Sequence, residues 1–267
     1  MIMTQDENGS RSRPDAQTAM TRAIILTHIH VKAAATPPEE YIARVAQKWS
    51  DAERIEFISG TKAIFTAQEE KIRAAGLWEN MEENERIFIQ TGALETTMRQ
   101  RIDASWMIES IGCLLWALGC LEHIPKYDKE SGKEVIAFPP GERATDLIRK
   151  AMLRPNSEID QQREWAELWH WRCRTRKLLE AGEIPSVLGN GLTMEAVIGM
   201  SASKAAEEHA FGEPIDSDFP VFGKPFGKMN ATEFASVTSI AQERHKAFNW
   251  LCGYAPGNQW SETPTDT

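Results

Sequence analysis

Apolar residues recur every three or four positions along most of the chain, which is the spacing of one face of an α-helix. Capping residues mark helix starts at Thr36, Thr66 and Asn230, and either Asn156 or Ser157 is expected to cap another helix. Between these signals the pattern predicts helices at residues 18–34, 36–57, 66–76, 83–92, 96–121, 141–153, 157–181, 193–211 and 230–251.

The longest apolar stretch lies in the second half of the predicted helix 96–121. It is apolar on all sides, which is typical of a helix buried at the centre of a domain. The only plausible strand is the short segment "KEVIAF" at 133–138. The sequence therefore predicts an all-α fold: a single-domain globular helical bundle over residues 17–267, built around this central helix, with at most one short β element. Residues 1–16 are polar and are predicted to form a disordered tail.

Charge and composition exclude several classes of protein. The net charge of −9 argues against a protein that binds nucleic acid or an anionic membrane. No apolar run approaches the roughly 20 residues that cross a bilayer, and the N-terminus lacks the apolar core of a signal peptide. The four cysteines form no C-x-x-C pair and are expected to be buried free thiols. These features predict a soluble, cytoplasmic protein.

Two charged residues fall on apolar helix faces. Arg244 points out of the same side of the last helix as Ile240 and Phe248, whereas Glu243 is turned away from it. Glu109 lies between two tryptophans on one face of the central helix. An unpaired buried charge is very costly, so Glu109 and Arg244 are predicted to contact each other, with Glu158 as the other candidate acid. The prediction favours a structural ion pair over a catalytic one.

Two histidines suggest a polar pocket. His170 shares a helical strip with apolar residues and with Arg163 and Arg174, and His245 follows Arg244 directly. If the protein is an enzyme, His170, His245 and Glu109 are the catalytic candidates. The same three side chains could be imagined as a metal site, but nearby arginines would repel the cation. We therefore predict neither a metal nor another cofactor.

Several motifs occur together and in order. They are "SWMIESIGCLLWALGCLE", "LRPNSEID", "HWRCR", "ERHKAFNWL" and a closing Trp followed by "TDT". With these motifs the chain resembles the bacterial "domain of unknown function 4272" family over about residues 100–180 and 232–267. The resemblance implies that the family's polar positions are Glu109, Arg154, Glu158, His170, Trp171, Arg174, Glu243, Arg244, His245, Asn249 and Asp266. It implies no reaction.

The sequence departs from that family's pattern at three places. Arg172 stands where the family has alanine after the His-Trp pair. The stretch 183–231 is longer than the family's usual connection and reads as an inserted segment. Ser261 and Glu262 replace an acidic pair that the family has after its last Trp.

The leading functional prediction is a non-enzymatic interaction module, immunity-like or antitoxin-like, that binds a basic partner. Its candidate binding residues are Arg154, Glu158, Trp171, Arg174, Glu243, Arg244 and Asn249. The alternative is a hydrolase or transferase that uses His170 or His245 as a base. In that case Arg154 and Arg174 would hold a small anionic substrate. An enzyme needs a pocket where the histidines converge, whereas a binder needs an exposed acidic or aromatic patch.

The sequence also predicts how the C-terminal tail and the Phe-rich segment pack. The final "WSETPTDT" is predicted to be ordered against the body, because Trp260 is large and apolar. The segment 212–229 combines Phe219, Phe222 and Phe226 with Gly and Pro. It is predicted to bury its aromatics in part and to keep a mobile tip, either as a lid over the histidine region or as core packing.

Overall fold

The computed structural model describes residues 12–132, 135, 143–189 and 191–266. Its fold is all-α, as predicted. The helices are α1 (Ala16–Ala35), α2 (Glu39–Ala46), α3 (Asp51–Ala74), α4 (Glu83–Gln90), α5 (Met98–Ala117), α6 (Ala144–Lys150), α7 (Asn156–Ala181), α8 (Met194–Glu207) and α9 (Ala231–Leu251).

Helix α5 is the centre of the packing, as its all-round apolar composition predicted. It begins at a capping box in which Thr97 and Gln100 satisfy each other's backbone amides. From Glu109 to Ala117 every residue is buried. Helices α1 and α9 both pack on α5, and α7 packs on α9. This order places α5, α9 and α7 side by side, so that polar residues on α5 and α7 both face α9.

The boundaries of α2 and α3 differ from the prediction. The helix that begins after Pro38 ends at Ala46 rather than near Phe57, and α3 begins after a capping box formed by Ser50 and Glu53. The predicted start at Thr66 is wrong, since α3 continues through it to Ala74. The Thr66–Glu69 spacing lies inside a helix whose amides are already paired, so the capping residues there have nothing to cap.

The structure also corrects the predicted N-cap of α7 and the predicted end of the N-terminal tail. Neither Asn156 nor Ser157 caps α7, because the N-cap position is Pro155, which makes no side-chain hydrogen bond. The prediction of a disordered tail over residues 1–16 is wrong at its end, since Pro14 is buried and Arg13 pairs with Asp160 at 2.7 Å. Three cysteines are buried free thiols as predicted, but Cys120 is exposed because α5 has already ended at Ala117.

The β structure lies in the Phe-rich segment. Strands β1 (Pro220–Val221) and β2 (Lys224–Pro225) form a two-stranded antiparallel hairpin, in which Val221 pairs with Lys224. The predicted strand at 133–138 falls almost wholly outside the described residues. None of the helices in the described part of the chain is long and apolar enough to cross a membrane.

The predicted partial burial of the Phe-rich segment is confirmed. Phe219 and Phe226 have no exposed surface and pack on Trp169 with ring-centroid distances of 6.1 and 5.5 Å. Phe222 lies in the hairpin turn, is 45% exposed and has a positive φ of 49°. Arg172 holds the segment from α7, because its guanidinium donates to both carboxylate oxygens of Asp218 at 2.8 and 2.7 Å.

The C-terminal tail is ordered on the body, as predicted. Trp260 is 3% exposed and packs edge-on against Trp250, with the ring centroids 5.6 Å apart. The indole of Trp250 donates to the carbonyl of Asn258 at 2.9 Å, and the side-chain amide of Asn249 donates to the carbonyl of Pro264 at 2.8 Å. The tail therefore closes one end of α9.

Deleting residues 258–267 should lower the melting temperature. Removing the tail returns the Trp250 face to water without leaving a closed cavity, so the expected loss is about 2 kcal/mol, or a fall in Tm of about 5 °C. Differential scanning calorimetry measures it. Trp260→Ala in the full chain should reproduce most of the fall, whereas Glu262→Ala, at an exposed position, should leave Tm unchanged. An unaltered Tm in the deletion would contradict the prediction.

Candidate functional site

The predicted ion pair between Glu109 and Arg244 is confirmed. Neither side chain has exposed surface. Arg244 on α9 donates through Nε and Nη2 to Oε2 of Glu109 on α5, at 2.9 and 2.8 Å. Oε1 and Oε2 of Glu109 also accept from the backbone amide and the hydroxyl of Ser131, at 2.7 and 2.9 Å. The pair lies at the contact of the two helices.

The remaining hydrogens of Arg244 bind a loop that the sequence did not connect with it. Its Nη1 donates to the carbonyls of Pro125 and Lys126 at 2.7 and 3.2 Å, and its Nη2 donates to that of Lys129 at 2.8 Å. All five N–H groups of the guanidinium are thereby used. With both charges and all donors satisfied inside the core, the pair holds the loop 125–131 on the bundle and leaves no group for a ligand.

A chain of hydrogen bonds connects the two histidines. His170 on α7 and His245 on α9 face each other through their Nδ1 atoms at 3.0 Å. Nε2 of His245 lies 2.9 Å from Nδ2 of Asn249. Oδ1 of Asn249 accepts from Nε of Arg163 at 3.0 Å, which fixes the orientation of its amide. The prediction that His170 and His245 form one polar cluster is confirmed; Glu109 is not part of this chain.

The donors in this chain determine the protonation of each ring. Because Nδ2 of Asn249 can only donate, Nε2 of His245 must accept and its hydrogen sits on Nδ1. That hydrogen is donated to Nδ1 of His170, which leaves the hydrogen of His170 on Nε2. Among the described residues this Nε2 has no hydrogen-bond partner, and it is not among the buried unpaired atoms. His170 therefore presents an N–H, not a lone pair, to solvent.

Burial keeps both rings neutral at neutral pH. Desolvation lowers the pKa of His170 to about 4, and the nearby charges of Arg174 and Lys177 contribute to the decrease. Desolvation lowers the pKa of His245 to about 3, with smaller effects of His170 and Arg163. A neutral His170 in this tautomer can donate a hydrogen bond but cannot accept a proton at Nε2.

A cavity of about 440 Å³ lies beside His170. Its walls carry charges of both signs: Arg174 and Lys177 from α7, Glu183 after α7, and Asp266 from the C-terminal tail. Arg174 and Asp266 approach to 3.8 Å. Thr265 and Asp266 of the C-terminal tail line this cavity, and no residue of the segment 212–229 does. That segment is therefore not a lid over the histidine region.

The other predicted polar residues lie elsewhere. Arg154 donates to the carbonyls of Trp116 and Leu121 at 2.8 and 3.2 Å, which caps the C-terminal end of α5, and its Nη1 lies 3.4 Å from Glu158. Glu158 is therefore not the partner of Arg244. Arg154 does not line the cavity beside His170, so the structure does not bring Arg154 and Arg174 together as one anion site.

Glu243 faces α5 rather than the Glu109–Arg244 pair. Its carboxylate accepts from the hydroxyl of Ser110 at 2.6 Å, and burial raises the pKa of this carboxyl group. Within the described residues, no three His, Cys, Asp or Glu side chains converge as a metal site.

A second cleft lies between α7 and α8, with a cavity of about 560 Å³. Three half-buried apolar side chains line it: Trp165, Leu168 and Trp171. Three carboxylates also line it: Glu164 and Glu167 come from α7, and Glu208 directly follows α8. The other lining residues are Arg163, Ser201, Lys204 and Ala205. Of the residues in this cleft, the sequence had singled out only Trp171 as a binding candidate. The pattern of Glu164, Trp165, Leu168 and Trp171 on one helical face was the signal that could have revealed it.

The family resemblance is supported by a direct comparison. A family model described as "Domain of unknown function (DUF4272)" matches residues 2–200, which is more than half of the chain. The chain belongs to the DUF4272 family. No curated protein and no solved structure matches it. The DUF4272 match contains the first stretch of the predicted resemblance, 100–180, and the candidates Glu109, Arg154, Glu158, His170, Trp171 and Arg174. It stops before Arg244, His245 and Asn249, so the assignment of 232–267 to the family stays a prediction.

Two features that the sequence analysis interpreted as departures from the DUF4272 pattern are in contact. Arg172, which replaces the expected alanine, forms its two hydrogen bonds with Asp218 inside the segment read as an insertion. Asp218 also accepts from the amides of Phe219 and Gly227 at 2.8 Å each, and Arg172 lowers the pKa of this carboxyl group against the effect of burial. Arg172 and the segment that contains Asp218 therefore form one structural unit.

Proposed function

We propose that the protein is a non-catalytic interaction module that binds a basic segment of a partner protein in the α7–α8 cleft. The observation that carries this proposal is the composition of the cleft, which is lined by two tryptophan rings and three carboxylates. A lysine or arginine side chain is attracted both to an aromatic face and to carboxylates, so this combination suits a cationic side chain.

The charges around the cleft leave room for an added cation. Arg163 is already engaged, since it contacts Glu167 at 3.0 Å and lies over the ring of Tyr254 at 4.5 Å. Lys204 lies 3.7 Å from Glu208. Glu164 is exposed and has no salt-bridge partner among the described residues. Its carboxylate is therefore the first candidate to pair with the incoming cation.

The buried indole of Trp165 supports a peptide as the ligand. Its Nε1 is buried and lacks a hydrogen-bond acceptor in the described part of the chain. A buried donor without a partner is costly. A rotation of the ring on binding would bring Nε1 to a backbone carbonyl of the segment, while the segment's basic side chain contacts the carboxylates. An immunity-like or antitoxin-like role, in which an acidic protein neutralises a basic one in the bacterial cytoplasm, fits this chemistry.

The histidine chain supports a role without catalysis. The alternative, a hydrolase or transferase, requires a base beside its substrate. His245 is fully buried, and the orientation of Asn249 directs the lone pairs of both rings inward. Glu109 is saturated with hydrogen bonds from Arg244 and Ser131. None of the three catalytic candidates then offers a free lone pair to the cavity beside His170.

An acetylated and amidated penta-arginine peptide tests the proposal. NMR of the tryptophan indole N–H groups should show shifts of Trp165 and Trp171 on titration, while Trp49, which packs against Phe57 and does not line the cleft, stays unchanged. The triple variant Glu164→Gln, Glu167→Gln, Glu208→Gln should bind at least about tenfold more weakly, because each carboxylate contributes a charge-assisted contact.

A charge-matched control separates site binding from general attraction to an acidic protein. Glu70→Gln, Glu79→Gln, Glu122→Gln removes the same charge from exposed positions outside the cleft and should keep the wild-type affinity. Penta-glutamate should not shift either indole. Equal weakening in both triple variants, or no shift of Trp165 and Trp171 in the wild type, would overturn the proposal.

A further inference from the structure

Three hydrogen-bond donors lie in a row along one face of α7. His170, Arg174 and Lys177 are spaced by four and by three residues, which brings them to the same side of the helix over about two turns. All three side chains line the cavity beside His170. None of them lines the α7–α8 cleft, so the row belongs to a different surface of the protein.

Arg174 and Lys177 have donors that no protein group uses. The guanidinium of Arg174 makes no hydrogen bond among the described residues, and its ionic contact there is with Asp266, at 3.8 Å. Lys177 is exposed, and its ammonium has neither a hydrogen bond nor a salt bridge in the described part of the chain. A guanidinium carries five N–H groups and an ammonium three, so the cavity wall is rich in unpaired donors.

His170 adds a donor whose direction is fixed. The hydrogen bonds through Asn249 and His245 leave the hydrogen of His170 on Nε2, which has no partner among the described residues. Burial lowers the pKa of His170 to about 4, so the ring is neutral at pH 7 and keeps this hydrogen. His170 therefore suits a ligand that accepts hydrogen bonds, and not a metal ion, which binds the lone pair of an imidazole.

The carboxylates in the wall do not cancel the two cations. Glu183 and Asp266 also line the cavity, and both are exposed. Arg174 and Lys177 lower the pKa of His170 by more than Asp266 raises it, so the ring lies in a positive potential. The side chain of Asp266 is 98% exposed and forms no hydrogen bond with Arg174. An exposed contact of this kind is weak, and a ligand with more charge can displace it.

We propose that the cavity beside His170 binds a phosphate group, which displaces Asp266 from Arg174. A phosphate group carries a charge of about −1.5 to −2 at pH 7 and three strong acceptor oxygens, so it can accept from all three side chains of the row at once. A carboxylate has one charge and two oxygens.

The size of the cavity limits the ligand to a small molecule. Its volume of about 440 Å³ is typical of sites for small ligands. The phosphate is therefore the free ion or the end group of a small phosphorylated compound. This site shares no lining residue with the α7–α8 cleft, and the inference does not depend on the proposed function.

NMR of the histidine rings of the full chain at pH 7 tests the proposal. Sodium phosphate is added at constant ionic strength, with sodium chloride as the balancing salt. The ring signals of His170 should shift and saturate, while those of His123, which is 84% exposed and outside the cavity, should not move. Sodium acetate should bind at least about tenfold more weakly. Glycerol 3-phosphate distinguishes the sources: tighter binding than that of phosphate assigns a phosphorylated compound, and equal or weaker binding assigns the free ion.

Charge variants locate the bound phosphate. Arg174→Gln should weaken binding at least about tenfold, whereas Arg149→Gln, at an exposed position outside the cavity, should keep the wild-type affinity. Asp266→Asn removes the competing carboxylate and should tighten binding about two- to fivefold, while Glu262→Gln removes the same charge from the tail outside the cavity and should not.

Four results would each overturn the proposal. They are the absence of a saturable shift of His170, equal weakening by the substitutions at Arg174 and Arg149, an affinity of Asp266→Asn no higher than that of the wild type, and acetate binding as tight as that of phosphate.

Discussion

Replacing Arg244 by methionine is expected to lower the free energy of unfolding by about 3–5 kcal/mol, the usual cost of breaking a buried ion pair. The methionine fills most of the space but leaves the carboxylate of Glu109 without its cation in a fully buried position. It also leaves the carbonyls of Pro125 and Lys129 without their donor. Urea denaturation followed by circular dichroism measures the loss.

Two comparisons make the result specific to the pair. The double variant Glu109→Gln with Arg244→Met should be less destabilised than the sum of the single variants, because no lone charge remains buried. Arg149→Met removes an exposed arginine whose pair with Asp146 is 70% and 61% exposed, and should cost less than about 1 kcal/mol. Additive losses, or equal losses at Arg244 and Arg149, would show that the pair does not hold the core.

The second large loss of stability is expected when Phe226 is replaced. Its ring is fully buried, contacts Trp169 and Phe234, and lies under the guanidinium of Arg172 at 4.4 Å. Phe226→Ala should therefore lower the free energy of unfolding by about 3–5 kcal/mol, as for other buried aromatics cut to alanine. Urea denaturation measures this loss as well.

Phe222 provides the matched control in the same segment. It is 45% exposed in a turn, so Phe222→Ala should change stability by about 0.5 kcal/mol or less. Together the two variants show whether the segment 212–229 is part of the core or a mobile lid. If Phe226→Ala were nearly neutral, the segment would not be part of the core. If Phe222→Ala were as costly as Phe226→Ala, the exposed turn would have to pack in solution.

The contact of Glu109 with Arg244 could be predicted because both constraints are local. Helical spacing places each charge on an apolar face, and a buried charge needs a partner of opposite sign. The same argument left Glu158 as an alternative acid. The choice depends on Arg154, which pairs with Glu158 and caps α5 through the carbonyl of Trp116. No sequence pattern shows which backbone carbonyl an arginine will reach.

The hydrogen-bonded chain of His170 and His245 shows a second feature that the sequence could not predict in full. The sequence predicted that His170 and His245 belong to one polar region, since each shares a helix face with arginines. In the alternative, enzymatic function it made one of these histidines a base, whereas the structure makes the accessible nitrogen of His170 a donor. The reason lies in Asn249 and Arg163, whose hydrogen bonds set the tautomers one after the other. Such a sequence of donors exists only once α7 and α9 are packed together.

By itself, the sequence determined the all-α fold, the buried position of α5, the capping box at Asn230, and the burial of Trp260. Each of these follows from periodicity, local hydrogen bonds or the size of an apolar side chain, which act within a few residues along the chain. Only the tertiary structure decided that Arg244 holds the loop 125–131, that Arg172 anchors the segment 212–229, and that tryptophans and carboxylates of α7 line one cleft with residues of α8. Those arrangements join residues far apart in sequence, so their energies depend on the packing of whole helices rather than on any local pattern.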